Sequence, residues 1–279
     1  MFLRRIWMVF LFAGAILLGI GRASAGWETG VGAGFDTNVD QAVDGGESDT
    51  FLSGHVAFGR EPDGESRLDW TATVVAEGAA YASATWLDYA AITFSPGMVY
   101  VPRPGLSVAA SAFLQAKGVK DDDQSAWAFG GRFECGQRLA GNIRLGGHYA
   151  YTDSRANVET FSYTEHAVGA SLGVNWTRTV STEFGYEFSR GDAFRSMPFS
   201  ATVSSGGGGF GRWRDRVYSE DLGVEVAKDR VDRHAVGITA GIDWTPKIQT
   251  LANYTFTTMN GDLGASSSHS GYVSVGYRF

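Results

Sequence analysis

The chain is predicted to be all-β: a transmembrane, antiparallel, up-and-down barrel of about twelve strands, with ten or fourteen left open by one weakly patterned region. Three observations lead there. Apolar residues recur with a period of two through most of the 279 residues, the spacing of a strand with one apolar face. Beyond the first twenty-five residues no apolar run approaches the ~20 residues that a helix needs to cross ~30 Å of hydrocarbon. A membrane position would therefore require a closed barrel, in which every backbone group is paired. The composition has 38 Gly, 6 Pro and 13% aromatic residues, which suits strands with small residues on one face and aromatic girdles on the other.

The amino terminus reads as a leader, not as part of the barrel. Arg4 and Arg5 precede an apolar run from Ile6 to Ile20, and Ala23-Ser-Ala25 is a small-x-small processing site. This is the pattern of a secretory signal peptide, residues 1–25, cleaved after Ala25. The barrel domain is then 26–279. Loss of Arg4, Arg5 and Arg22 leaves 20 basic residues against 30 acidic ones, a net charge of −10, which argues against a nucleic-acid partner. Cys135 is the only cysteine, so neither a disulfide framework nor a lipid-anchored start is expected.

The strands follow in order. Trp27, Thr29, Val31, Ala33 and Phe35 alternate with Glu28 and glycines, and a polar loop spans 36–49. Leu52, Gly54, Val56 and Phe58 form the second apolar face, and a Pro-Asp-Gly turn ends it at Gly64. The third strand, 67–80, sets Leu68, Trp70, Ala72, Val74 and Ala76 against Asp69, Thr71, Thr73 and Glu77. The fourth, 84–95, has conflicting parity, since Trp86, Ile92 and Phe94 compete with Leu87 and Tyr89; a bulge would reconcile them. Prolines at 96, 102 and 104 then suggest a connection and not a strand.

Leu106 to Leu114 make the fifth strand, followed by a loop at 117–123. The sixth has Trp127, Phe129 and Phe133 opposite Arg132 and Glu134, and the seventh has Ile143, Leu145, Tyr149 and Tyr151 opposite Arg144 and His148. His166, Val168, Ala170, Leu172, Val174 and Trp176 give the cleanest alternation. Val180, Phe184, Tyr186 and Phe188 follow, opposite Glu183 and Glu187. The pattern lapses over 191–233, a polar stretch holding four glycines at 206–209, which reads as a long outer loop able to act as plug or lid. Alternation resumes with Val236 to Trp244, opposite Asp243, then with Ile248 to Phe256. A loop at 259–268 leads to the last strand, 269–279.

That last strand ends in Val273, Val275, Tyr277 and Phe279 on one face and Arg278 on the other. It resembles the closing strand of bacterial outer-membrane β-barrels, the porin-like proteins. The resemblance implies an outer-membrane location, contact with outer-membrane lipid, and a role for Val273, Val275, Tyr277 and Phe279 as the signal read by the barrel-assembly machinery. Connections alternate between long polar loops and short turns, the asymmetry of a barrel with both termini in the periplasm. A soluble β-sandwich would not place Trp and Phe on one face at both strand ends.

In this register the lumen-facing candidates are Glu28, His55, Asp69, Glu77, Arg132, Glu134, Arg144, His148, Glu183, Glu187, Asp243 and Arg278. Charges of both signs in a wet lumen suit a narrow porin-like channel for small hydrophilic solutes, but they equally suit a filled barrel acting through its loops. Inward glycines either leave an opening or relieve curvature. Glu28 and Arg278 are expected to pair across the seam.

Hydrolase alternatives have weaker candidates. Asp121 with Asp123 and Asp232 with His234 mimic the residue pairs of omptin-type proteases, without the matching surroundings. His148, His269 and Ser270 are the candidates for a lipid hydrolase, but adjacent strand residues point to opposite faces. His166 reads as interfacial. No metal-ligand spacing occurs and no cofactor is expected.

Overall fold

The computed structural model describes residues 25–60, 62, 66–197, 216–219 and 224–279. Residues 1–24, most of the expected leader, and the glycines at 206–209 lie outside the described residues.

The strands are β1 (Ala25–Asp36), β2 (Asp49–Arg60), β3 (Leu68–Tyr81), β4 (Tyr89–Arg103), β5 (Leu106–Val119), β6 (Ala126–Ala140) and β7 (Ile143–Ala156). They continue with β8 (Tyr163–Asn175), β9 (Val180–Met197), β10 (Arg216–Ser219), β11 (Val224–Asp243), β12 (Ile248–Gly261) and β13 (Gly264–Arg278). Each barrel strand pairs antiparallel with its neighbours. β1 closes the ring onto β13, from Glu28 opposite Arg278 to Asp36 opposite Ser270. Twelve strands form the barrel. β10 lies outside it and, among the described residues, pairs only with the start of β11, while β9 and β11 pair directly.

The ladder sets the size of the barrel. From Asp36, paired residues run through Ser270, Thr255, Gly237, Gly185, Ser171, Gly146 and Gly136 to Ser107 of β5. In the other direction Glu28 leads through Ala57, Val75 and Thr93 to Gln115. The two paths are offset by eight residues on β1 and by eight on β5, so the shear is sixteen. With ~3.3 Å per residue and ~4.8 Å between strands, twelve strands of that shear tilt by ~42° and enclose a backbone cylinder ~25 Å across.

Large apolar side chains cover the outside. Val31, Leu52, Val168, Val236 and Val273 are each more than half exposed, a cost in water that disappears in lipid. Trp27, Trp176, Trp244 and Phe279 mark the end with short turns. Trp176 and Trp244 donate their indole N–H to Thr182 and Thr250 across those turns, both at 2.8 Å, which satisfies the polar edge of a ring otherwise in hydrocarbon.

Several sequence expectations are corrected. Residues 191–233 are not one loop: β9 extends to Met197 and β11 starts at Val224, with Met197 opposite Glu225. Likewise, β12 and β13 run on to a two-residue turn at Asp262 and Leu263. Beyond the lipid both faces of a hairpin meet water, so the ladder continues without apolar alternation. The fourth strand begins at Tyr89, because Trp86 lies in a 3-10 turn, Thr85–Leu87, and the parity conflict disappears without a bulge there. β4 passes through Pro96, whose missing N–H interrupts the pairing with β5 at positions 95 and 96 only. The irregularity falls further on, between Tyr100 and Arg103.

Candidate functional site

The inner wall is uneven. On the β13–β5 side it carries rings. Phe51 packs against Tyr81 and Tyr272 with centroids 5.4 and 6.2 Å apart, and the Lys117 ammonium lies 4.5 Å from the Tyr89 ring centroid. On the opposite side the pairing path described above becomes a stripe of small residues: Ser107, Gly136, Gly146, Ser171, Gly185, Gly237 and Thr255. This stripe lines a cavity of about 560 Å³. A second cavity of about 390 Å³ adjoins it toward the turn end, sharing Arg144, Glu183 and Thr239.

By register Glu28, His55, Asp69, Glu77, Arg132, Glu134, Arg144, His148, Glu183, Glu187, Asp243 and Arg278 all lie on the strand face opposite the exposed apolar side chains. The tertiary structure gathers them into pairs. Arg132 Nε donates to Glu134 at 2.6 Å, Arg144 to Glu183 at 3.2 Å, and His148 Nε2 lies 2.8 Å from Glu187. Arg278 Nε donates to Glu28 at 2.9 Å across the seam, and His55 approaches the same carboxylate at 3.8 Å. Asp69 accepts from Arg60 at 2.8 Å at the turn end. Glu77 stands opposite His55, and Asp243 stands opposite Gln249 beside the last turn.

Two of these pairs reach across the intervening strand β8, and at one of them glycine makes this possible. Arg144 and Glu183 flank Gly173 of β8, and His148 and Glu187 flank Gly169. A Cβ at Gly169 would collide with the His148 ring. Gly30 seats His55 in the same way. Gly169 and Gly30 therefore hold neighbouring rings flat against the wall, a third role beside opening the lumen and relieving curvature.

The mouth at the long-loop end is crossed by a segment that the sequence did not single out. The β1–β2 connection, 37–48, reaches over to β9: Ala42 bridges Ser196, and the Val43 N–H donates to the Ser196 carbonyl at 3.3 Å. Arg195 is fully buried. Its Nε donates to the Gln41 carbonyl at 3.1 Å and its terminal nitrogen to Ser266 of β13 at 2.9 Å. Ser196 donates to Asp40 at 3.0 Å. Asn38 ties the segment to itself through Ala42, accepting from its N–H at 2.8 Å and donating to its carbonyl at 3.1 Å. Gln41 takes a left-handed φ of 52° and lines two smaller cavities, of about 300 and 340 Å³. Below it, Arg233 donates to Glu165 at 3.0 Å and Ser189 to the same carboxylate at 2.6 Å, narrowing the lumen above the large cavity.

The hydrolase candidates are placed elsewhere. Asp121 caps the 3-10 turn Asp122–Gln124, accepting from the Asp123 N–H. Asp232 pairs with Arg190 at 3.4 Å. His234 and His269 face outward against Tyr186 and Tyr254, while Ser270 faces inward. His166 also faces outward, 2.8 Å from the Tyr149 hydroxyl.

No protein-family model and no curated protein matches the sequence. Solved structures do match. An outer-membrane channel from Pseudomonas putida F1 aligns with a TM-score of 0.60 at 11% identity, over 91% of this chain and 96% of that one. The KdgM porin in complex with disordered oligogalacturonate aligns at 0.52 and 8%, over 90% and 99%, and the NanC porin at 0.52 and 7%, over 89% and 98%. At these identities the likeness speaks for architecture, and together with the closed ladder it gives the conclusion: the chain has the twelve-stranded β-barrel fold of outer-membrane porins.

Proposed function

We propose that the protein is a narrow outer-membrane channel for small hydrophilic solutes, with its long-loop end facing outside. The observation that carries this reading is the pair of adjoining cavities along the small-residue wall, lined by ion pairs, the second of them reaching Gly141 and Asn142 at the turn end. Larger side chains at those positions would fill a barrel of twelve strands. The two arginines of the large cavity are each engaged by a carboxylate, and Glu187 is held by a histidine. This lining favours uncharged or zwitterionic solutes with a slight preference for cations, and it gives little advantage to a polyanion such as the oligogalacturonate bound by the KdgM porin.

The test is planar-bilayer recording of the folded, full-length protein. Small single-channel steps with weak cation selectivity are expected. Arg144→Ala leaves Glu183 unpaired and should raise cation selectivity. The absence of steps in both the wild type and a variant with segment 37–48 shortened would sink the channel reading. The anchored segment across the mouth favours a second reading, a barrel that stays closed and acts through its outer loops. Steps that appear only in the shortened variant would support it.

A further inference from the structure

Three of the five histidines sit on the lipid-facing surface in the same surroundings. His166 stands opposite Tyr151 with rings 5.0 Å apart, and its Nδ1 is 2.8 Å from the Tyr149 hydroxyl. His234 stands opposite Phe188 at 5.1 Å, 2.9 Å from the Tyr186 hydroxyl. His269 stands opposite Phe256 at 4.9 Å, 2.7 Å from the Tyr254 hydroxyl. The three units occupy successive strand pairs, β7–β8, β9–β11 and β12–β13. The local sequence repeats too: His-Ala-Val-Gly occurs at 166–169 and 234–237.

Position and hydrogen bonding together define what these units can meet. Each histidine is followed ten residues later by Trp176, Trp244 or Phe279. Ten residues at ~3.3 Å, tilted by ~42°, rise ~25 Å, the height of the apolar band of such barrels. The histidines therefore lie at the interface opposite the Trp belt. When the phenol O–H donates to Nδ1, the ring proton resides on Nε2. Among the described residues no protein group meets that nitrogen, and all three side chains are exposed. A tyrosine-fixed ring thus presents one oriented N–H donor to the headgroup layer, three times around half the barrel. Immediately beyond, the same outer face carries Arg155, Arg190, Lys228 and Arg230, interleaved with Asp153, Asp192 and Asp232. This row is close to neutral, so the selectivity of the surface comes from the directed donors.

We propose that this sector binds the phosphate-bearing headgroup of an outer-leaflet glycolipid, with His166, His234 and His269 donating to phosphate oxygens. The occupant follows from the height of the donors, which places lipid headgroups and not a soluble partner against them, and from their chemistry, since an N–H donor seeks an anionic oxygen. The assignment to the outer leaflet rests on the long-loop end facing outside.

The test uses the full-length protein, stripped of lipid in detergent, with bound lipid counted by native mass spectrometry. Bisphosphorylated lipid A is compared with its dephosphorylated form. Wild type should retain the phosphorylated lipid preferentially. H166F/H234F/H269F should lose that preference about tenfold or more, as expected for losing hydrogen bonds to a charged group. Equal retention of the two lipids by wild type, or an undiminished preference in the triple variant, overturns the proposal. Heat-modifiable electrophoretic mobility reports folding. Should the triple variant not assemble, H166F, H234F and H269F are measured singly: each is expected to weaken the preference, and wild-type behaviour in all three overturns it.

Discussion

Gly169 has no side chain where the His148 ring crosses β8 to reach Glu187, and this shows how single positions shape the lumen. Gly169→Val should dislodge the ring, because Val restricts its own rotamers and cannot yield to a neighbour. The displaced atoms are the far end of a mobile side chain in a wet lumen, so the stability cost is expected to be within about 1 kcal/mol. The check is a changed single-channel conductance with a nearly unchanged melting temperature in detergent. At the same scale, the Glu28–Arg278 pair is solvated, with Arg278 more than half exposed. Such pairs contribute ~1 kcal/mol or less, so Glu28→Ala should shift thermal stability only slightly. The identity of these partners could be guessed from alternation because parity alone decides which face a residue takes. The pairing of Arg144 with Glu183 could not, because the two meet only through the register that sets both opposite Gly173 of β8.

At the scale of elements, the segment 37–48 is held over the mouth chiefly by Arg195, and its release is a direct test of that anchor. Arg195→Ala leaves the Gln41 carbonyl and the Ser266 hydroxyl without their donor, a loss of about 1–3 kcal/mol for hydrogen bonds to a charged group. Larger and noisier conductance steps are expected, together with earlier proteolytic cleavage between residues 37 and 48; unaltered recordings and cleavage would show that the anchor does not hold the segment. Residues 191–233 attracted attention as a plug because polar and glycine-rich stretches look like loops. Among the described residues the mouth is crossed by a short connection whose contacts lie far along the chain, since Gln41 and Arg195 are 154 residues apart. No local pattern encodes such a contact.

The whole barrel is closed where β13 meets β1, and the carboxyl terminus is part of that closure. The Phe279 N–H donates to the Trp27 carbonyl at 3.0 Å, and the Phe279 ring packs edge-on against Tyr277 at 4.9 Å. Phe279 also takes the place in its strand that Trp176 and Trp244 take in theirs, ten residues beyond a belt histidine, so it belongs to the girdle at the turn end. Deletion of Phe279 is expected to reduce the amount of heat-modifiable protein in outer-membrane fractions several-fold; a normal yield would separate this residue from assembly.

The barrel architecture was legible along the chain because lipid and lumen impose opposite demands on alternate residues, and that constraint is local, repeating every two positions. The strand ends beyond the membrane were not, because water on both faces removes the demand while leaving the hydrogen bonds in place. The 68-residue recurrence linking His166 with His234 and Trp176 with Trp244 was present in the sequence, but its meaning as two belts ~25 Å apart needed the tilt. The tertiary structure alone decided which charges meet, which described segment spans the mouth and which half of the wall is lined by small residues. Each depends on the shear of sixteen, which sets beside one another residues that the chain holds far apart.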